Sequence, residues 1–223
     1  MIDVVNYGNI RGISPINYPE GVDEQLQLNN RGYILTAQGL PTLSELTRLG
    51  NSYVARTTTA VAPVIDIPTT AYLIAIWNGE LDNGKSYIID SVFALTVAST
   101  AAQQASTILI NVSTQQSLTA LANTITPRSL KANQPYRGRA RIAVNTTTNA
   151  TDGVAANWFP AGTTPEPIAG ATNNIGSCTD IDLKGMIIIP PKGILCVSVL
   201  SAATTASSVQ VGLRWHEVQL VVN

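Results

Sequence analysis

The stretch Met186-Ile187-Ile188-Ile189-Pro190-Pro191-Lys192-Gly193-Ile194-Leu195-Cys196-Val197-Ser198-Val199-Leu200 decides the fold. Two apolar runs flank a Pro-Pro-Lys-Gly turn, where proline presets the backbone and glycine supplies conformations other residues resist. In the second run Leu195, Val197 and Val199 alternate with Cys196 and Ser198, the period of a strand with one face on a core. The first run, 186–189, is apolar without alternation and reads as a strand buried on both faces. A small-residue loop over 201–208 then leads to a closing strand, 209–222. Its inward residues are Val209, Val211, Leu213 and Trp215, after which the apolar set moves to Val218, Leu220 and Val222. Such a parity change predicts a β-bulge at His216-Glu217.

Upstream the same signals recur from residue 51 onward. Strands are expected over 72–77, 86–98 (Ile89, Phe93, Leu95 and Val97 on one face), 107–112 (Ile108, Ile110 and Val112 inward) and 139–144 (Ile142 and Val144 inward). Residues 118–125 fit either a strand or a helical turn. Asn78-Gly79 and Asp82-Asn83-Gly84 are turn material. Residues 145–180 form a long Thr/Asn/Gly/Pro-rich connection, a length that usually carries function. About eight strands with turn punctuation predict an all-β, jelly-roll-like β-sandwich over 51–223 rather than a seven-strand immunoglobulin fold, since no Cys–Trp–Cys spacing is present.

The beginning of the chain differs. Residues 1–40 are broken by turn signals at Tyr7-Gly8-Asn9, Arg11-Gly12, Ser14-Pro15, Tyr18-Pro19-Glu20-Gly21 and Asn29-Asn30-Arg31-Gly32. No piece between them is long enough to build a core. Disordered tails avoid aromatic and branched residues, yet this segment carries Tyr7, Ile10, Ile13, Tyr18, Leu26, Leu28 and Tyr33. We read it as an extended N-terminal arm whose anchors dock onto another surface. Residues 41–50, Pro-Thr-Leu-Ser-Glu-Leu-Thr-Arg-Leu-Gly, form one short helix. Thr42 and Glu45 stand at capping-box spacing, Leu43, Leu46 and Leu49 share a face, and Gly50 is the stop.

Composition narrows the function. Charged residues make up only 12% of the 223, and the net charge is −1. Charge is costly to desolvate and is depleted at interfaces, so such a surface suits being covered. The one basic cluster, Arg137, Arg139 and Arg141, is too small for a nucleic-acid footprint. The N-terminus lacks the basic and apolar regions of a signal peptide, and no apolar run reaches 18 residues, so no membrane partner is expected. A cytosolic site of synthesis is expected, though not a cytosolic final address. The sequons at Asn111, Asn145 and Asn149 are then chance. Cys178 and Cys196 match no metal motif and are expected as buried thiols.

Chemistry is sparse. The single histidine, His216, is the sole candidate for a Ser-His-Asp base, and no Gly-x-Ser-x-Gly elbow accompanies it. Asp180 and Asp182 alternate with Ile181 and Leu183 as the polar face of a strand does, rather than as calcium ligands. The phosphate-loop pattern is absent. No catalytic residue, metal or cofactor is therefore assigned. A glycan platform, if the protein has one, rests on Trp158 and Phe159 in the 145–180 connection.

The run Ile188-Ile189-Pro190-Pro191-Lys192-Gly193-Ile194-Leu195-Cys196-Val197-Ser198-Val199, with Val211-Gly212-Leu213-Arg214-Trp215-His216-Glu217, resembles the closing strands of trimeric jelly-roll proteins of virions. The motifs Asn6-Tyr7-Gly8-Asn9-Ile10-Arg11-Gly12 and Leu26-Gln27-Leu28-Asn29-Asn30-Arg31-Gly32 resemble the start of structural proteins of tailed bacteriophages. This likeness spans about a third of the chain. It implies a non-enzymatic capsid decoration (cement) or head-fibre protein, a homotrimer located in the virion, whose arm grips the major capsid protein or a neighbouring subunit. A tail or fibre protein, or a receptor- or glycan-binding module using the 145–180 loop, is the alternative.

Overall fold

The computed structural model describes residues 42–68, 72–99, 106–114, 124–146, 157–164, 178–201 and 207–220. The chain divides into two units, Met1–Thr42 and Leu43–Asn223. All the strands below belong to the second.

Among the described residues one helix, α1 (Thr42–Leu49), precedes eleven strands: β1 (Ser52–Arg56), β2 (Tyr72–Asn78), β3 (Ser86–Ser99), β4 (Thr107–Thr114), β5 (Thr124–Ile125), β6 (Arg128–Ser129), β7 (Ala140–Thr146), β8 (Trp158–Thr163), β9 (Cys178–Ile189), β10 (Gly193–Leu200) and β11 (Ser207–Val218). The order in space is β6-β1-β11-β3-β9 in one sheet and β5-β7-β2-β10-β4-β8 in the other. The pairing is nested. β1 pairs with β11, β2 with β10, β3 with β9 and β4 with β8, all antiparallel. Successive pairs alternate between the sheets, so residues 52–114 and 158–218 are the two arms of one long hairpin rolled into a sandwich. That is the topology of an eight-strand jelly roll. The expected count of about eight matches, but the membership differs: β1 and β8 are additional to the strands expected, and the expected strand at 139–144 is β7, outside the eight. The extra three come from the hairpin's tip, β6 joining β1, β7 joining β2 and β5 joining β7.

Period-2 patterning builds the core between the sheets. Ile74 and Ile76 of β2, Ile108 and Ile110 of β4, Ile142 and Val144 of β7, Leu195, Val197 and Val199 of β10, and Val209, Val211, Leu213 and Trp215 of β11 all meet there. The six-stranded sheet is also buried on its other face, where Tyr72, Ala75, Leu109, Ala143, Trp158, Ile194 and Cys196 cluster.

Several expectations are corrected. Parity changes in β3 and not in β11. Arg214 pairs with Ser91 but Trp215 with Ile89, leaving Asp90 as the extra residue of a bulge. Beyond it Val92 and Ala94 turn inward, so Phe93, Leu95 and Val97 lie on the outer face. A second bulge falls at Val97, because Ser208 pairs with Ala98 and Val209 with Thr96. The strand β11 keeps one inward row through to Glu217. The run 186–189 is not buried on both faces: β9 is a sheet edge, and Met186 is 77% and Ile188 46% exposed. Opposite the Asp90 bulge β9 jogs outward, with Lys184 and Gly185 at φ 51° and 71° and the Lys184 N–H bonding Asp182 Oδ1 at 2.8 Å. A charged, kinked edge of this kind resists pairing with another chain. Val112 is exposed, one residue past Asn111, where the pairing with the start of β8 stops.

α1 ends as expected. Gly50 at φ 79° donates to the Thr47 carbonyl and Asn51 to the Leu46 carbonyl, the paired bonds of a Schellman stop. Its Glu45 carboxylate is bound by Arg48, one bond running from Nε at 2.7 Å. Its leucine stripe is not packed inward, for Leu43 is 57% and Leu49 53% exposed.

Candidate functional site

The continuous inward row of β11 sets a carboxylate where a hydrophobic residue is expected. After Val211, Leu213 and Trp215 the next inward position is Glu217, and it is fully buried. Its Oε1 accepts the Tyr136 hydroxyl at 3.0 Å, and that Tyr136 oxygen accepts the Ala140 N–H at 2.6 Å. Lys85 Nζ stands 3.7 Å from Oε2, outside hydrogen-bond range and on a side chain 40% exposed. Tyr53 packs edge-on against Tyr136, ring centres 4.8 Å apart, and leans on Trp215 at 5.8 Å. Gly138 leaves the room, since a Cβ there would lie 2.2 Å from Glu217 Oε1 and 2.4 Å from the Tyr136 oxygen.

This end of the sandwich is tied by local bonds. The Glu217 N–H donates to the Asn51 carbonyl at 2.9 Å, and the Tyr53 hydroxyl to the Gly50 carbonyl at 2.7 Å. Buried Asn78 donates to the carbonyls of Lys85 and Ile189, both at 2.9 Å, and accepts the Glu80 N–H at 3.0 Å. Burial raises the Glu217 pKa above the ordinary carboxylate value. The Tyr136 hydroxyl, the Lys85 ammonium and the Trp215 indole N–H pull against that rise, and Glu80 adds to it. Burial likewise drives the Tyr87 and Tyr136 hydroxyls far up, with the charge of Glu217 contributing to both.

His216 points the other way, as the neighbour of an inward residue must. Its Nδ1 lies 2.8 Å from Asp90 Oδ1, and the Asp90 bulge is what brings that carboxylate across. Ser52 is the cross-strand neighbour of His216, but its hydroxyl bonds Thr47 Oγ1 at 3.1 Å. On the same outer face the Arg214 guanidinium covers Phe93 at 4.9 Å and bonds Asp180 and Ser91. Asp180 and Asp182 form the exposed row of β9 and Ile181 and Leu183 the inward one, the alternation expected of them.

The 145–180 connection is not one loop, because β8 lies inside it and β9 begins at its end. Trp158, opposite Asn111 on the outer face of the six-stranded sheet, is buried, whereas Phe159 is exposed. Asn111 is wholly buried, so its sequon is closed to a glycan in the folded chain. Cys196 is a buried thiol, but Cys178, the first residue of the β9 edge, is exposed. Arg137, Arg139 and Arg141 are all exposed, and Arg141 lies 5.5 Å from the centre of the Trp77 ring. Among the described residues no group of three His, Cys, Asp or Glu can hold a metal, and no helix is long and apolar enough to cross a membrane. The arm anchors Tyr7, Ile10, Ile13, Tyr18, Leu26, Leu28 and Tyr33 lie outside the described residues.

Sequence reasoning missed Glu217 by placing the parity change in the wrong strand. Its signal was present: Leu213, Trp215 and Glu217 are two apart, and an unbroken strand puts all three inward.

No protein-family model matches the chain, and no curated protein matches it. Two solved structures are similar to it at 13% identity. One is from Cocksfoot mottle virus, covering 94% of this chain and 97% of the other with a TM-score of 0.20. The second is from Mud Crab Dicistrovirus, covering 96% and 90% with a TM-score of 0.19. Superpositions this weak carry no argument about fold or function. The jelly-roll class rests on the strand pairing alone.

Proposed function

We propose that this chain is a non-enzymatic virion structural protein, a capsid decoration (cement) protein of tailed-phage type that forms a homotrimer and attaches to the particle through residues 1–40. The observation that carries the reading is α1. In the sequence the helix follows the proposed arm and precedes the sandwich, and its Leu43 and Leu49 are more than half exposed. Apolar area left in water forgoes roughly 25 cal/mol per Å², which a partner surface recovers. The 12% charge content supports the same reading. Jelly rolls serve in capsids, in lectins and in metal-binding cupins, and fold alone does not choose among them. A lone histidine argues against a histidine-ligated metal. Burial of Trp158 removes the principal aromatic of a glycan platform and leaves Phe159 as its exposed member.

The test is solution mass by light scattering for the full chain and for a chain lacking residues 1–40. A trimer that is lost on deletion, with the sandwich still folded, supports the reading. A monomer in both cases, or an unfolded truncated chain, overturns it.

A further inference from the structure

Residues 128–141 cross from β6 in one sheet to β7 in the other. This strap is one-sided in charge. From Ser91 to Thr151 the sequence has no Asp or Glu, and its five cations, Arg128, Lys131, Arg137, Arg139 and Arg141, fall within fourteen residues. All five are exposed. Arg141 lies over the Trp77 ring, and among the described residues none of the other four is ion-paired to a carboxylate. The nearby acids are taken: Glu45 pairs with Arg48, Asp82 pairs with Lys192, and Glu217 is buried.

The strap is also fixed in place. The Leu130 N–H donates to the Ser52 carbonyl at 2.9 Å, Lys131 Nζ to the Arg48 carbonyl of α1 at 2.8 Å, and Gln134 Nε2 to the Gly50 carbonyl at 3.3 Å. Like charges gathered on one strap repel, and their rigid placement lowers the ordering cost of binding an opposite charge. Leu130 is exposed beside them, as Leu43 and Leu49 are on the helix that Lys131 ties down. Cations with leucines suit an acidic polypeptide that carries apolar side chains. A phosphate backbone satisfies the cations and leaves the leucines in water.

The chain itself supplies such a segment. Residues 1–40 hold two cations, Arg11 and Arg31, against four acids, Asp3, Glu20, Asp23 and Glu24, a net charge of −2. Three of those acids stand between Tyr18 and Leu26. Glu24 is eighteen residues ahead of Thr42, a tether that reaches at most about 60 Å and so spans to a neighbouring subunit.

We propose that α1 and the 128–141 strap of one copy form the docking site for residues 18–28 of a second copy, with Glu20, Asp23 and Glu24 meeting the strap cations and Tyr18, Leu26 and Leu28 meeting the leucines. The inference rests on the arm reading above and adds the surface that receives the arm. A second copy is the partner because these cations and leucines are exposed in the single chain.

The experiment is solution mass by light scattering of the nuclease-treated full chain. A strap variant carries Lys131→Glu, Arg137→Glu and Arg139→Glu, and an arm variant carries Glu20→Lys, Asp23→Lys and Glu24→Lys. Each alone should associate at least about tenfold more weakly, and one chain carrying all six changes should regain the oligomer. An equimolar mixture of the two variants should also rise above monomer mass, because each arm then meets opposite charge on the other chain. Wild-type association should weaken at least about tenfold between about 0.05 and 0.5 M salt, a readout that needs no variant to fold. An oligomer lost on deleting residues 1–40 but indifferent to salt and to the strap charges overturns this docking site and leaves the arm reading standing. A monomeric wild type overturns both. A mixture that stays monomeric places any contact within one chain and overturns the proposal, as does an assembly that nuclease dissolves, since nucleic acid is then what the strap holds.

Discussion

Strands β9 and β10 are consecutive in the chain and similar in apolar content, yet they live in different environments. Every residue of β10 from Gly193 to Val199 is buried, whereas β9 alternates exposed and covered along its whole length. The difference is position. β10 lies between β2 and β4, with buried apolar residues on both faces, while β9 is the last strand of the other sheet among the described residues. Apolar composition shows that a segment can be buried, but neighbours decide whether it is. The edge is then guarded by Asp182, Lys184 and the left-handed turn at Lys184-Gly185.

Each strand carries one cysteine, which makes the contrast measurable. Cys178 on β9 should react with a maleimide at nearly the rate of a free thiol. Cys196 on β10 should react at least about a thousandfold more slowly, because access requires opening of the sandwich. Comparable rates would mean that β10 is not the packed centre.

Next in size is side-chain truncation. Leu195→Ala empties a fully buried position of β10 and should cost about 2–5 kcal/mol in urea unfolding. Ile188→Ala on β9 should cost less than about 1 kcal/mol, the range of partly exposed sites. Equal losses would erase the edge-versus-centre distinction.

A subtler change has the opposite sign. Ser198 of β10 is fully buried, and its hydroxyl has no hydrogen-bond partner among the described residues. Ser198→Ala should therefore be neutral or stabilise by about 1 kcal/mol, read as an upward shift in the unfolding midpoint. The smallest effect is expected at Met186→Thr on the exposed edge, within about 0.5 kcal/mol of the parent.

Much of this was legible beforehand. The alternation in 194–200 and 209–215 named core residues that the structure buries, and Gly50 marked the helix end. An all-β sandwich of about eight strands was readable because turn signals divide the alternating segments, although β1 and β8 were not among the segments recognised. The errors share a cause. An unbroken period of two across Asp90 puts Phe93, Leu95 and Val97 inward with Ile89, whereas the Asp90 bulge turns them out. A bulge adds one residue with no compositional mark of its own, and the partner strand's register alone reveals it. The Pro and Gly of β8, Trp-Phe-Pro-Ala-Gly-Thr, look like loop residues in sequence, but strands tolerate them at an edge.

By itself the sequence determined the class: an all-β sandwich with one capped helix, a charge-poor surface and a single histidine. These follow from local periodicity and composition, which need no partner to be read. Only the tertiary structure decided that the chain rolls as a nested hairpin, that β9 is an edge, and that Glu217 is shut inside with Tyr136. Those depend on which strand lies beside which across more than a hundred residues, as when Ser52 meets His216. Pairings so remote are chosen by the summed burial of the whole sandwich, a quantity no local window contains.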